Sequence, residues 1–416
     1  MRDLIMLASA GACGVMPTRD IKDWHKILQL ALDHNVLPLV ACALIHAPDS
    51  QCPETIRDYL LDALRMKSST NLIRRQRIFH LLEAMNRVKI EARVLKGYSV
   101  AQYYAYPESR DSVDTDIWIQ PDKETEALSL LQNKGFQILE RGTASHHSVA
   151  QHKKFGKIEI HISLYDEIVE DVWFQGMDGA EYVQESYDTI QFPEGKLITL
   201  GPTDQLIFLS LHMIKHFISG GLSIRMMLDT ALHFKLNKES IDHIRYWGIM
   251  DKLKYSRLIN GILGLLVSTG VFGCDDFPGA QKVDISVEEA ILTDMKRGGY
   301  MGSRELQDRE ISSMEYNRRV LRKRMNSVQY LTYMLQWKVK GTWVFLFPSY
   351  QQLKQKYSKV AQLPILAPVF WCYHAINHLI YKLRSGVLHK QIRTEHSTVS
   401  ECVKARIDLF EQLDML

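Results

Sequence analysis

Cysteine is sparse and unorganised in this chain. Its 416 residues include six, Cys13, Cys42, Cys52, Cys274, Cys372 and Cys402, with no Cys-x-x-Cys among them. That scatter excludes a disulfide-stapled scaffold and a cysteine zinc knuckle, and it fits a reduced, cytoplasmic compartment. Nor does one sign of charge dominate: 51 Lys and Arg stand against 48 Asp and Glu, for a net charge of +3. Long nucleic acids are normally met by a concentrated basic stripe, and the balance of charge gives no such signal. A clean membrane-spanning run is missing as well. The apolar, aromatic stretch from Leu363 to Leu383 is interrupted by Pro364, Pro368, His374, Asn377, His378 and Lys382, so it reads as a core helix. The shorter run Leu4 to Cys13 follows Asp3 and a lone Arg2 and leads straight into amphipathic helix, which argues against an export signal. With no internal repeat and no low-complexity linker, domain boundaries are soft.

What is present concentrates between Val94 and Leu164. Asp114 and Asp116 head the run Asp-Thr-Asp-Ile-Trp-Ile, and a strand period of two puts both carboxylates on one face, with Thr115, Ile117 and Ile119 on the other. Adjacent carboxylates repel unless a cation or a shared proton lies between them. Oxygen-only ligands favour Mg²⁺ or Mn²⁺. In Lys157 to Leu164, KIEIHISL, the residues Ile158, Ile160 and Ile162 alternate with Glu159, His161 and Ser163. This predicts a half-buried strand whose polar face can bring Glu159 to the aspartates if the two strands are neighbours. His161 shares that face, either to touch substrate or to pack beside the site. Upstream, Leu95-Lys96-Gly97-Tyr98-Ser99 closes an apolar approach, and Gly97 permits close backbone contact with an anion, with the Ser99 hydroxyl nearby. His146, His147 and His152 have no cysteine partner at zinc spacing and read as a solvated hairpin.

The ordered set of glycine turn, Arg-x-x-x-Asp-x-Asp and Glu-x-His resembles the nucleotidyltransferase superfamily of DNA polymerase β type, and within it the bacterial uncharacterised nucleotidyltransferase family. The resemblance implies an α+β fold, a small mixed β-sheet core embedded in a mostly helical chain. It implies that Asp114, Asp116 and Glu159 are the catalytic metal carboxylates, and that Lys96, Gly97, Ser99 and Arg110 bind nucleotide. Tyr98 departs from the family, many of whose members have a small residue after the glycine, and a ring there could crowd a triphosphate.

Outside this core the pattern is helical. Residues 1–87 read as an all-helical lead-in, 88–200 as the nucleotidyltransferase core, 201–290 as a helical region lining the site, and 291–416 as a mainly helical C-terminal region. Within the core, Asp122 is placed to cap a helix running through Lys134, with Gly135 as its stop. In the stretch from Leu206 to Phe217, His212 and His216 lie four apart on one helical face. They have metal-ligand spacing but no third ligand nearby in sequence, so buried, hydrogen-bonded histidines are the simpler reading. The resemblance makes them, with Asp229, candidate walls of a substrate pocket, joined by Arg225. The basic run Arg318 to Arg324 reads as a solvated helix face.

The expected activity is Mg²⁺- or Mn²⁺-dependent transfer of an NMP group from an NTP to the hydroxyl of a small-molecule acceptor. Two alternatives stay open: a binding or regulatory module that keeps the fold without transfer, motivated by Tyr98, and a toxin–antitoxin-type modifier of tRNA or protein.

Overall fold

The computed structural model describes residues 1–47, 51–112, 114–140, 146–165, 169–175, 182–184, 186–327, 329–330 and 400–416. The chain opens with four helices, α1 (Arg2–Cys13), α2 (Trp24–Asp33), α3 (Leu37–Ile45) and α4 (Glu54–Arg87). The apolar run at the start is thus a packed helix. It crosses α3 so closely that a Cβ on Gly11 would lie 1.8 Å from the Leu39 carbonyl oxygen, which leaves room for glycine alone. Asp23 caps α2 by accepting the Lys26 N–H at 2.9 Å. At 34 residues, α4 is about 50 Å long, and its last turns direct Ile78, Phe79, Leu81, Leu82 and Met85 into the core beneath the sheet.

The sheet has seven strands in the order β3-β4-β5-β2-β1-β7-β6. These are β1 (Arg93–Val94), β2 (Asp114–Trp118), β3 (Gln137–Glu140), β4 (His147–His152), β5 (Gly156–His161), β6 (Tyr187–Phe192) and β7 (Gly195–Leu200). β2 runs parallel to β5 and β1 parallel to β7, and the remaining neighbours are antiparallel. Alternation decides the faces. Ile117, Ile119, Ile158 and Ile160 are fully buried against α4 and α6 (Glu124–Asn133), and each contributes roughly 1.5–3 kcal/mol by leaving water. The opposite face carries Asp116, Glu159 and His161. The short helix α5 (Tyr98–Ala101) follows Gly97. Asp122 does not cap α6 as expected: a 3₁₀ turn, Pro121–Lys123, intervenes, and the helix starts without a side-chain cap. Gly135, at φ +87°, does terminate it.

Helices follow the sheet: α7 (Pro202–Ser219), α8 (Ile224–Asn237), α9 (His243–Lys252), α10 (Ser256–Val267), α11 (Ile285–Gly298), α12 (Leu306–Arg324) and α13 (Glu401–Gln412). The chain forms two compact units, Met1–Ser313 with Arg406–Leu416, and Met314–Ala405. The expected boundaries at residues 87, 200 and 290 fall inside the first. In the second, Glu315 pairs with Arg318 and Arg319 at 2.7 and 3.0 Å, while Arg322, Lys323 and Arg324 are exposed, a solvated face as expected. The stretch Leu363 to Leu383, with Cys372, lies outside the described residues. No helix among the described residues is long and apolar enough to cross a membrane.

In the first unit, α13 is fastened by a buried ionic cluster. Asp294 accepts hydrogen bonds from Arg406 at 2.8 and 2.9 Å and from Arg309 at 3.1 and 3.2 Å, and both guanidinium groups also donate to carbonyls at the end of α7, Phe217 and Gly220. The two arginines are 1% exposed, so neither charge has water to fall back on. Removing the shared carboxylate leaves two buried guanidinium groups together, with Glu305, 3.3 Å from Arg309, as partial compensation. Asp294→Ala is expected to lower unfolding stability by about 3–5 kcal/mol in urea titration, and a loss within error would refute this role.

A second expectation concerns acid. His233 on α8 is buried, directs Nε2 at the Pro202 carbonyl (2.8 Å) and has Nδ1 near the Asn237 amide, which fits a neutral ring. Burial pushes its pKa down to about 4. Because the unfolded ring protonates near pH 6.5, the unfolded state binds the extra proton first. Stability is therefore intact above that pH and falls as pH drops towards 4, by on the order of 3 kcal/mol. Urea melts of the chain and of His233→Gln across this window should show the variant with the shallower slope.

Candidate active site

Strand register assembles the site. In the parallel pair β2–β5, Asp116 stands opposite Glu159 and Asp114 opposite Lys157, while in the antiparallel pair β4–β5 His147 stands opposite His161. Partners directly opposite project from the same face, with strands about 4.8 Å apart. The result is a patch of ionisable groups. His161 Nε2 lies 3.1 Å from Asp116 Oδ1 and 3.6 Å from Glu159 Oε2, and Lys157 bonds Glu159 Oε1. On the other side β1 runs antiparallel to β2 and brings in Lys96. Its ammonium is 3.2 Å from Asp116, 3.7 Å from Asp114 and 3.4 Å from His212 Nε2 on α7.

Charge explains the arrangement. Burial alone would neutralise Lys96, but Asp116 and Asp114 hold it protonated and raise its pKa. Burial would likewise raise Asp116, yet Lys96 and His161 draw its carboxyl below the ordinary value. Glu159 is held well below the carboxylate range, because hydrogen bonds from His161 and Lys157 outweigh its desolvation. The two carboxylates in turn raise His161 above an ordinary imidazole in spite of its burial. Asp116 Oδ2, 3.2 Å from Lys96, receives no well-directed hydrogen bond among the described residues. Asp116, Glu159 and His161 each offer a donor atom within 4.8 Å of the others, and Asp114 lies at the rim with its side chain 28% exposed. This donor set fits a small divalent cation.

A small cleft opens beside this patch, walled by Lys96, Arg110, Asp114, His212, Arg225 and Asp229, with Leu209 and Met226 as apolar surface. His212 and His216 contact edge to face, 4.6 Å between centroids. Burial, reinforced by Lys96, pushes His212 well down and His216 to about 3, so both rings are neutral. The histidines of α7 thus reach the aspartates through Lys96.

Several residues expected to meet nucleotide are engaged elsewhere. Arg110 forms a two-pronged pair with Asp229, at 3.0 and 2.6 Å, and Tyr104 donates to the same carboxylate at 2.7 Å. Both partners border the cleft, but their polar atoms face each other. Arg225 donates to the Asp111 carbonyl (2.6 Å) and the Tyr300 hydroxyl (2.9 Å). The Ser99 hydroxyl is buried beside the Gln205 amide, at 3.5 Å, and does not front the cleft. Gly97, at φ +71°, presses against the loop before β2, where a Cβ would be 3.1 Å from Ser112 Oγ. Tyr98 is 6% exposed within the apolar core beneath Ile117 and Phe79. Its ring therefore points away from the carboxylate face and cannot crowd a ligand there.

Two groups escaped the reading of the sequence. Lys67, Asn71, Arg74 and Arg75 form one face of α4 and strap down the loop before β2, through the Asp111 carboxylate (2.8 Å), the Glu108 carbonyl (2.9 Å), the Ser112 carbonyl (3.0 Å) and the Glu108 carboxylate (2.8 Å). Their spacing of four, seven and eight was the available signal. His146 and His147 are not a solvated hairpin end: both are half-buried, and their rings lie 5.4 and 5.1 Å from that of His161. Counting outward from the tight turn between His152 and Gly156 pairs His147 with His161, so this too was readable.

The Arg110–Asp229 pair yields a discriminating prediction. Arg110→Ala should lower stability by about 3–5 kcal/mol without any ligand, because it strands a buried carboxylate. An arginine held in reserve for nucleotide would instead leave the ligand-free urea midpoint unchanged.

No curated protein and no solved structure matches the chain. The model of a family described as uncharacterised nucleotidyltransferase matches residues 20–269, more than half of the 416 residues. By that match, and with the Asp114, Asp116 and Glu159 strands side by side in a mixed sheet, the chain belongs to the uncharacterised nucleotidyltransferase family.

Proposed function

We propose that the chain transfers a nucleotidyl group from an NTP to a hydroxyl of a small-molecule acceptor, with Mg²⁺ or Mn²⁺ held by Asp114, Asp116 and Glu159. The observation that carries this reading is the register of β2 and β5, which sets Asp116 against Glu159 with Asp114 on the same face. A divalent ion bound there would screen the triphosphate and acidify the acceptor hydroxyl. The acceptor oxygen bonds to the α-phosphorus as the bond to pyrophosphate breaks, and the hydroxyl proton leaves to solvent or a base. Glu159 serves this reaction as a ligand, since a carboxylate held so acidic by His161 and Lys157 is a weak base.

In this reading Lys96 answers the triphosphate. Its ammonium already bridges Asp114 and Asp116, and a cation bound between them would free it to turn toward phosphate oxygens in the adjoining cleft. The acceptor pocket is the part of the cleft bounded by His212, Arg225 and the apolar Leu209 and Met226, with His216 behind. Neutral imidazoles and a mixed lining suit an alcohol of modest size. Tyr98, packed in the core, gives no support to the non-catalytic alternative.

The test is pyrophosphate release and label transfer from each of the four NTPs with Mg²⁺, using a library of small alcohols as acceptors. Asp116→Asn, shown to fold by circular dichroism, should reduce turnover by about 10²–10³-fold, the scale of losing one preorganised electrostatic contact. Full NTP turnover in that variant would overturn the proposal.

A further inference from the structure

Next to the carboxylates lies a second donor cluster of different chemistry. His146, His147 and His161 each bring a ring nitrogen within 4.8 Å of the other two. His147 Nδ1 and His146 Nε2 are 3.0 Å apart, and His147 stacks on His161. Glu159 Oε2 lies 4.0 Å from His147 Nε2 and 3.6 Å from His161 Nε2. The backbone accounts for the crowding. His147 opens β4 directly across from His161, while His146 sits in the bend just before the strand, where alternation does not yet hold, and its carbonyl accepts the N–H groups of Ile162 and Ser163. Two consecutive histidines can therefore serve the same face.

An independent observation points to a ligand. The His161 ring is 7% exposed, and its Nδ1 is buried with no hydrogen-bond partner among the described residues. Buried polar atoms left without a partner in folded proteins call for an ion, a water or a functional reason.

We propose that His146, His147 and His161, with Glu159 Oε2 as a fourth donor, form a binding site for a divalent transition metal of the zinc class, adjoining the oxygen-rich position at Asp114 and Asp116 and sharing Glu159 with it. Imidazole nitrogen favours zinc and its neighbours in the series, whereas Mg²⁺ demands oxygen. Zinc–nitrogen bonds of about 2.0–2.1 Å place tetrahedral ligand atoms roughly 3.4 Å apart. The His146–His147 separation is already close to this, and the others close by side-chain rotation on a fixed strand pair. Because β4 and β5 are antiparallel neighbours joined by a tight turn, bound metal would fasten the open end of the hairpin, at its junction with the carboxylate patch. Metal uptake is measured without nucleotide, so its failure and that of the transferase reading are distinguishable.

Isothermal titration of the full chain with ZnCl₂ in excess MgCl₂, which occupies the oxygen-rich position, should give one site per chain. His146→Gln/His147→Gln should weaken it by at least about tenfold, since even an outer contact to a bound metal is commonly worth that much, while Asp114→Asn leaves it unchanged. Cobalt(II) substitution supplies a readout that needs no variant: intense visible bands of four-coordinate, nitrogen-rich cobalt are expected. Absence of zinc binding to the wild-type chain, undiminished binding in the folded double variant, equal loss in Asp114→Asn, or only the pale bands of six-coordinate cobalt would overturn the proposal.

Discussion

The parallel pairing of β2 with β5 is the constraint on which the rest of the site depends. Side chains in a strand repeat every two residues, so a slip of one position would turn Asp116 into the apolar core and Ile117 out to the cleft. The fully buried Ile117, Ile119, Ile158 and Ile160 forbid that slip, because each would lose its place under α4 and α6. Hydrophobic burial on one face of the sheet thereby fixes the spacing of charges on the other. The chemistry is positioned by residues that never touch it.

Once those charges are gathered, the surrounding architecture reads as a way of balancing them. Lys96, Lys157 and His161 answer the three carboxylates, and α7 brings the neutral imidazoles of His212 and His216 up beside Lys96. Further out, the pattern repeats with different partners. Arg110 neutralises Asp229, and the α4 straps hold the loop that leads into β2 by its carbonyls and by two carboxylates. Low dielectric makes unpaired charge expensive, so the buried arginines act as fasteners between segments distant in sequence.

Strand faces, the gathering of the three carboxylates and the helical lead-in were legible because they obey local periodicity. Asp-x-Asp and Ile-Glu-Ile-His state which residues share a face, and the only missing fact was that their strands are neighbours. Pairwise partners were not legible. Arg110 looked available for nucleotide because Asp229 is 119 residues away, and nothing local shows that the two meet. Tyr98 was misread for a related reason: its place after a glycine suggested a ligand-facing turn, whereas the direction of its side chain is set by how α5 enters the core. The histidine pair at the head of β4 was judged by the absence of cysteine, when hairpin register was the stronger guide.

Arg406 reaches back 189 residues to the carbonyl of Phe217 and shares Asp294 with Arg309. Closing so long a loop costs chain entropy that grows only with the logarithm of its length, but the cost falls due before any contact rewards it. By that argument the seating of Arg406 is expected late in folding. Until it is complete, the Phe217 carbonyl lacks Arg406, and Arg309 alone caps the end of the helix that carries His212 and His216. A slow final phase, arriving after the sheet has formed, would then be the moment at which one wall of the cleft becomes rigid.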